Sequence, residues 1–298
     1  MRLFLLTALT MLAFAANSVL NRWAVGQGWI GPAGFAVVRL LSGAGMLALI
    51  LGVRLVLKRA VVWPKGWPIL FGVGGLLLYL LGFSLAYTRL DAGTGALVLF
   101  GSVQVTMFAG ALLLREPVPL RRWLGSGVAL GGLYLLAAPT AEAAQVGSAM
   151  LMMAAAGLGW GTYSLAGRGQ KDAQTATAVN FVLAVPVMGL LFAQLSFVDF
   201  MLVDEEQTNL GLGAALAVLS GAVTSGLGYA LWYAILPRLG AARAAVAQLT
   251  VPVIAALGGA VLLTEPPGLR FWLAATLVLG GVALASLPYR GFTSRSTR

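Results

Sequence analysis

Long apolar runs alternate with short polar segments along the whole chain. The charge-free runs cover residues 3–21, 66–88, 92–114, 123–141, 143–167, 173–198, 207–237, 244–264 and 271–289. One further segment, residues 32–53, is apolar apart from Arg39. Each run is close to or above the ~20 residues with which a helix crosses the ~30 Å hydrocarbon core of a bilayer. Strands of a membrane barrel would alternate over ~10 residues instead, so the pattern predicts an all-α polytopic membrane protein with ten transmembrane helices.

The composition supports this class and excludes several kinds of chemistry. Hydrophobic residues make up 60% of the chain and charged residues 9%, whereas a typical soluble domain has roughly 25% charged residues. The absence of cysteine and histidine from the sequence excludes disulfides, thiolate nucleophiles, histidine bases and the usual zinc sites. The sequence also lacks a phosphate-binding glycine loop and a carboxylate pair at bilayer depth. We therefore predict a protein that is not an enzyme and has no metal site and no cofactor.

The placement of the charged residues predicts the orientation in the membrane. With a cytoplasmic N-terminus and ten spans, 15 of the 19 basic residues fall on the cytoplasmic side and seven of the nine acidic residues on the outer side. This distribution follows the positive-inside rule. Both termini are predicted to be cytoplasmic, and the net charge of +10 is interpreted as membrane topology rather than as a nucleic-acid-binding surface.

The first 21 residues allow a second interpretation. Arg2, the apolar run that follows it and the small residues Ala13 and Ala15 also fit a secretory signal with its cleavage site. Removal of this segment would delete one helix from an internal repeat, so we interpret it as the first transmembrane helix.

The second half of the chain repeats the first. A shift of 149 residues aligns 114–135 with 263–284, and eleven of these 22 positions are identical, including Glu116-Pro117 and Glu265-Pro266. A shift of 146 residues places Arg22 on Arg168. These matches predict a duplicated five-helix unit, with a first repeat at 1–140, a second repeat at 141–289 and a cytoplasmic tail at 290–298.

The two copies of a five-helix unit must enter the membrane in opposite orientations, because an odd number of spans leaves the chain on the other side. Two related halves that face opposite ways are typical of secondary transporters, since inward-open and outward-open states then have similar energies. The sequence therefore predicts a central cavity between the halves, with a substrate site near the bilayer midplane. Because one chain supplies both halves, we expect a functional monomer.

Several short patterns resemble one transporter family. They are Phe14-Ala15-Ala16-Asn17 in helix 1, Arg39 early in helix 2, Arg238-Leu239-Gly240-Ala241 before an alanine-rich helix that contains Pro252, and the Glu-Pro pair that closes each half. The pattern is similar to the EamA family of the drug/metabolite transporter superfamily, and within it to the YddG-type aromatic amino-acid exporters. This resemblance implies a carrier of the bacterial inner membrane that moves amino acids out of the cell.

Polar and aromatic residues at bilayer depth are the candidates for substrate binding, because such residues are costly in lipid unless they face partners or water. The predicted set is Asn17, Tyr79, Phe100, Ser102, Gln104, Trp160, Tyr163, Ser164 and Gln248. Amides and hydroxyls could bind the ends of an amino acid, and aromatic faces could stack on its side chain or hold its ammonium.

Arg39 is the one formal charge well inside a predicted span. It could contact a substrate carboxylate, or it could have a structural role by reaching helix-end carbonyls or extending to the outer headgroups. Helix 7 has Phe181 and Val182 rather than an arginine at the corresponding place, which argues against a symmetric role. Pro186 and Pro252 interrupt backbone hydrogen bonding and are candidate hinges, although packing kinks would explain them equally well.

The loops with Glu116 and Glu265 are interpreted as scaffolding. Each acid could stabilise the start of the following helix or pair with Arg121 or Arg270 respectively.

No Asp or Glu lies in the middle of a predicted span, whereas proton-coupled exporters of cations commonly use such a carboxylate. We therefore predict alternating-access export of aromatic and other neutral amino acids, without a membrane-carboxylate proton relay. The alternatives are a broader metabolite or drug exporter and, from a different class, a membrane scaffold or receptor that transports nothing. The expected partners are small-molecule amino acids and the lipid bilayer, with no nucleic acid.

Overall fold

The described part of the chain is helical throughout and contains no strand. The computed structural model describes residues 1–115, 118–137, 141–168, 170–193, 209–239, 244 and 247–286. Its helices are α1 (Arg2–Gly26), α2 (Pro32–Val56), α3 (Trp67–Ala86), α4 (Ala92–Leu113), α5 (Leu120–Ala137), α6 (Ala141–Gly167), α7 (Ala173–Phe192), α8 (Leu210–Leu239), α9 (Thr250–Leu262) and α10 (Leu269–Ser286).

The helices follow the apolar runs of the sequence. Within the described residues, six of them (α1, α2, α3, α4, α7 and α8) are long and apolar enough to cross a membrane, and shorter apolar helices cover Thr250–Leu262 and Leu269–Ala285. Large side chains such as Phe4, Leu70 and Leu113 are exposed on the outside, as expected of a surface that faces lipid. The prediction of an all-helical, multi-pass membrane protein is confirmed.

Local chemistry determines where several helices begin. Pro32 is the first residue of α2 and follows an extended Gly31, a position where the missing N–H costs nothing. The Asp172 carboxylate accepts a hydrogen bond from the backbone N–H of Thr175 and caps α7, and Asn209 caps α8 through Leu212 in the same way. These caps satisfy backbone donors that a helix start leaves without partners.

The helices pack in pairs that recur at an offset of five. Helix α1 packs against α8 and α9, and α6 packs against α3 and α4, while α2, α4 and α5 contact α7, α9 and α10 respectively. Glycines allow the closest approach between α3 and α6. A Cβ at Gly75 would lie 2.6 Å from the carbonyl oxygen of Gly159, and a Cβ at Gly159 would lie 2.6 Å from the carbonyl oxygen of Gly75. A larger residue at either position would therefore collide with the backbone of the other helix.

Helix α8 departs from regular α-helical geometry in its middle. Residues Leu219–Leu227 form a π-helical segment that is continuous with α-helix on both sides. A Cβ at Gly221 would collide with the backbone of Arg39 on α2, so α2 and α8 approach here as closely as glycine permits. Such π segments frequently mark functional positions.

The two candidate hinge prolines have different surroundings. Pro186 lies inside α7, where it removes one internal hydrogen bond. Pro252 is the third residue of α9 and therefore lies in the first turn rather than the middle of a helix, where a missing N–H has little cost. A hinge role stays a prediction for both residues.

Candidate substrate site

A cavity of about 720 Å³ opens at one end of the helix assembly. It lies between the C-terminal ends of α4, α6 and α8 and the N-terminal ends of α5 and α7. We call this side of the molecule the cavity end. Its uncharged polar lining residues are Gln104, Ser126, Ser164, Gln170, Tyr233 and Gln248.

The charged residues that line this cavity are all basic. They are Arg121, Arg122 and Arg168, and the described lining contains no Asp or Glu. Guanidinium groups are suited to binding carboxylates and other planar anions.

The aromatic residues that line this cavity are Phe108, Trp160, Trp232 and Tyr233, and Trp160 is also the centre of an aromatic cluster that extends behind the lining. The Trp160 ring stacks on Tyr163, with centroids 5.2 Å apart, and lies 5.0 Å from the Tyr79 ring and 5.1 Å from the Tyr229 ring. Since Tyr79 comes from α3, Trp160 and Tyr163 from α6, and Tyr229 from α8, the cluster joins parts of both sequence repeats.

A second, much smaller cavity lies behind Trp160, and we call it the core cavity. Its volume is about 20 Å³, enough for one water-sized group. Its lining residues are Phe14, Asn17, Ser18, Tyr79, Phe83, Leu99, Phe100, Trp160 and Tyr229. Trp160 lines both cavities, so its ring lies where the open cavity and the core cavity come closest.

Arg39 is completely buried beside the core cavity. Its Nη2 donates to the Tyr79 hydroxyl at 2.8 Å and its Nε to the Ser225 hydroxyl at 3.1 Å. The guanidinium carbon lies 5.1 Å from the Tyr79 ring centroid and 5.0 Å from that of Phe83. The alternative in which Arg39 extends to the outer headgroups is therefore wrong, because the side chain turns inward between α3 and α8.

Asn17 organises a buried hydrogen-bond cluster on the π segment of α8. Its Oδ1 accepts from the hydroxyls of Ser220 at 2.8 Å, Thr224 at 2.6 Å and Ser225 at 3.3 Å. Since Ser225 also accepts from Arg39, this cluster continues into the guanidinium. Sequence reasoning missed the three hydroxyls, although their spacing of four and one along an otherwise apolar helix was a usable signal.

A charged cluster lies at the opposite end of the molecule, and we call it the Arg22–Glu265 lock. Arg22 Nε donates to Glu265 Oε1 at 2.6 Å, and Arg22 Nη1 donates to the carbonyl oxygens of Tyr87 and Thr88 at 3.1 and 3.3 Å. Glu265 Oε2 accepts from the backbone N–H of Ala92 at 3.0 Å. The lock thus joins α1, the loop between α3 and α4, and the loop before α10.

The partner of Glu265 differs from the predicted one. The sequence suggested Arg270 or the start of the following helix, but the carboxylate pairs with Arg22 and binds the start of α4. Arg270 Nε instead donates to the carbonyl oxygen of Leu135. Glu116, the other acid of the repeated Glu-Pro pair, lies outside the described residues.

Two aspartates outside the helices have pKa values displaced in opposite directions. At the lock end, burial and the nearby Glu265 carboxylate raise the pKa of Asp91, although Arg22, 3.9 Å away, opposes this. At the cavity end, burial acts to raise the pKa of Asp172, but hydrogen bonds from Arg54 and Thr175 outweigh it and lower the pKa to about 2. Arg54 Nη2 lies 2.8 Å from Asp172 Oδ2, which ties the end of α2 to the start of α7.

The structure distributes the predicted substrate residues over both cavities. Gln104, Trp160, Ser164 and Gln248 line the large cavity, while Asn17, Tyr79 and Phe100 line the core cavity.

Two predicted residues lie apart from these surfaces. Ser102 is not part of the described lining of either cavity and packs against Gly157 at the contact of α4 with α6. Tyr163 supports the Trp160 ring, and its hydroxyl donates to Thr177 at 2.8 Å.

Comparisons with known proteins agree on one family. The model of the EamA-like transporter family matches residues 1–138 and again residues 147–287. An uncharacterized protein of Pseudomonas aeruginosa is 46% identical over 99% of this chain and 98% of its own length. An uncharacterized transporter of Archaeoglobus fulgidus is 24% identical over 85% of this chain and 88% of its own length.

A crystal structure shares the fold, with a TM-score of 0.61 at 21% identity over 93% of this chain and 96% of the other. The two matches to the family model cover most of the sequence, and the cavity and its aromatic wall lie within them. The chain belongs to the EamA-like transporter family of the drug/metabolite superfamily.

Proposed function

We propose that this transporter exports amino acids, above all aromatic and other neutral ones, from bacterial cells. The observation that carries the proposal is the cavity of about 720 Å³ whose lining includes the aromatic rings of Phe108, Trp160, Trp232 and Tyr233. Its volume exceeds that of any single amino acid, its aromatic wall suits stacking on an aromatic side chain, and Gln104 and Gln248 supply donors and acceptors for the polar end.

The proposed architecture has ten transmembrane helices in two inverted five-helix repeats, residues 1–140 and 141–289, followed by a tail at 290–298. Two observations support it. Helix contacts recur at an offset of five, since α1 packs on α8 and α9 as α6 packs on α3 and α4. In addition, Arg22 of the lock and its repeat counterpart Arg168, which lines the cavity, lie at opposite ends of the molecule.

The proposed orientation has the cavity end in the cytoplasm of a bacterium, with both termini on the same side of the inner membrane. The arginines that line the cavity support this orientation through the positive-inside rule. The chain then has an inward-open form in which the Arg22–Glu265 lock closes the outer side. Transport requires the lock to open while the cavity end closes, and one chain is sufficient for this exchange.

The same geometry supports movement of substrate down its own gradient rather than strict proton exchange. The described carboxylates of Asp91, Asp172 and Glu265 lie outside the helices that span the bilayer, so none of the three offers a proton site at bilayer depth. A strict ratio between substrate uptake and acidification of the liposome lumen would contradict this part of the proposal.

Counterflow in proteoliposomes tests the substrate. We expect labelled phenylalanine to accumulate faster than methionine or threonine, and lysine not to accumulate, because the described cavity lining contains no carboxylate for its side-chain ammonium. Accumulation of unrelated metabolites at equal rates would favour the broader exporter. No flux of any compound would favour a scaffold or receptor and overturn the proposal.

Thiol labelling tests the orientation, because the chain contains no cysteine. Gln104→Cys places one thiol in the cavity, and Ser18→Cys places a matched one in the core cavity. We expect a membrane-impermeant reagent to label the Gln104→Cys variant at least about tenfold faster in inside-out vesicles than in right-side-out cells, and the Ser18→Cys variant slowly in both. The reverse preference of the first variant would overturn the orientation.

A further inference from the structure

Arg39 is a buried positive charge without a counter-charge among the described residues. Its Nη1 atom is buried and has no hydrogen-bond partner there, and the described ion pairs do not include it. The neutral hydroxyls of Tyr79, Ser225 and Tyr229 and two aromatic faces offset the cost of removing this charge from water only in part. A negative group of a ligand would complete the site.

The substrate path leads to this charge. Tyr79 and Phe83 line the core cavity, and the same two rings cover the guanidinium of Arg39. Asn17 lines the core cavity as well and is linked to Arg39 through Ser225. Because Trp160 lines both the core cavity and the open one, a shift of its ring would widen the contact between the two and allow the head of a bound substrate to approach.

The charges along the rest of the path have the same sign. The large cavity is lined by Arg121, Arg122 and Arg168, and none of the described carboxylates lines either cavity. An ammonium group would find aromatic faces but no carboxylate in the described lining. A carboxylate would find guanidinium groups in the open cavity and the Tyr79 hydroxyl, polarised by Arg39, in the core cavity.

We propose that this protein recognises its substrates by their carboxylate alone, one oxygen of which occupies the core cavity beside the Tyr79 hydroxyl that Arg39 polarises, and that an ammonium group is dispensable. The ligand class is then aromatic and apolar monocarboxylates, with or without an amino group, while the corresponding amines are excluded. Arg39 acts as a positioning residue, through the Tyr79 hydroxyl that it polarises. The inference rests on the proposed function in one respect: it assumes that substrates enter through the large cavity. It does not assume that those substrates are amino acids.

The test compares three ligands of the same size on the whole protein in lipid nanodiscs at neutral pH: phenylalanine, 3-phenylpropanoate and phenethylamine. Equilibrium binding is measured rather than flux, because the uncharged forms of the acid and the amine cross bilayers unaided. We expect 3-phenylpropanoate to bind within about tenfold of phenylalanine, and phenethylamine at least about tenfold more weakly than either.

Two variants locate the effect. Arg39→Gln is expected to weaken the binding of 3-phenylpropanoate at least about tenfold without weakening that of phenethylamine. Arg39→Lys, which keeps the charge, should bind 3-phenylpropanoate more tightly than Arg39→Gln. Arg54→Gln is the matched control, since it removes an arginine of the same helix that pairs with Asp172 outside both cavities, and it should bind all three ligands as the wild type does. If Arg39→Gln does not fold, the comparison of ligands on the wild type decides by itself.

The outcomes separate this inference from the proposed function. Equal binding of the acid and the amine, or no binding of the acid, overturns carboxylate recognition even if phenylalanine is transported. Binding of 3-phenylpropanoate without transport of phenylalanine supports the inference and removes amino-acid export.

Discussion

The two ends of the molecule use their arginines differently. At the lock end, Arg22 is held by the Glu265 carboxylate and two backbone carbonyl oxygens. At the cavity end, its repeat counterpart Arg168 lines an open cavity with Arg121 and Arg122. The same residue at corresponding positions of the two repeats therefore makes an ion pair at one end and lines an open cavity at the other, an asymmetry of the kind that the proposed alternating access needs.

Charge reversal in the lock has the largest expected effect. Arg22→Glu places two carboxylates where a half-buried ion pair was, and loss of one partner of such a pair costs about 3–5 kcal/mol. We expect counterflow of phenylalanine to fall at least about tenfold, and the Ser18→Cys thiol to become accessible from the lock end.

The exchanged pair Arg22→Glu with Glu265→Arg is the control. It should recover part of the counterflow, but not all, because it loses the bonds to the carbonyl oxygens of Tyr87 and Thr88 and to the N–H of Ala92. A single reversal that transports at the wild-type rate would show that the lock does not close the outer side.

Truncation of Trp160 has the next largest expected effect, a loss of phenylalanine binding. Trp160→Ala removes the ring that stacks on Tyr163 and lines both cavities. Because an aromatic pair contributes about 0.5–1.5 kcal/mol beyond its buried area, we expect phenylalanine to bind roughly three- to tenfold more weakly in equilibrium titration. Trp160→Phe keeps a ring and should lose less, whereas equal losses in both variants would remove stacking as the cause.

Acid is expected to affect the two ends in opposite directions. The pKa of Asp172 is lowered to about 2 in the folded protein, against about 3.9 unfolded. Its stabilising contribution, on the order of 1 kcal/mol after solvent screening, is therefore complete above about pH 4 and is lost as the pH falls toward 2. The thermal midpoint of Asp172→Asn should lie below that of the wild type at pH 7, and the gap should narrow in acid.

Substitution of Asp91 has the smallest expected effect on the thermal midpoint, and the effect is opposite in sign to that of Asp172→Asn. Its pKa is raised by burial and by Glu265, so the folded state disfavours its ionised form relative to the unfolded chain. Asp91→Asn should raise the thermal midpoint slightly at pH 7, and the difference should shrink as the pH falls through the raised pKa and vanish below the unfolded value of about 3.9. A lower midpoint at pH 7 would mean that attraction to Arg22 outweighs the repulsion.

The helices and the family could be predicted from the sequence, because both depend on local patterns. Apolar runs of about 20 residues can satisfy their backbone groups in lipid only as helices, and the Glu-Pro pairs, Asn17 and Arg39 occur where the resemblance requires them. Most candidate residues were identified in the same way, since polar side chains in an apolar helix are costly unless they have partners.

What only the tertiary structure decided is which of these residues meet. Nothing local to Glu265 indicates Arg22, which is 243 positions away, and nothing local to Arg39 shows that it turns inward to Tyr79 and Ser225. The division of the predicted residues between an open cavity and a core cavity depends on one ring, that of Trp160. The sequence determined the elements through hydrophobicity and backbone hydrogen bonding, whereas helix packing at distances set by glycine determined which end is closed and where the buried charge lies.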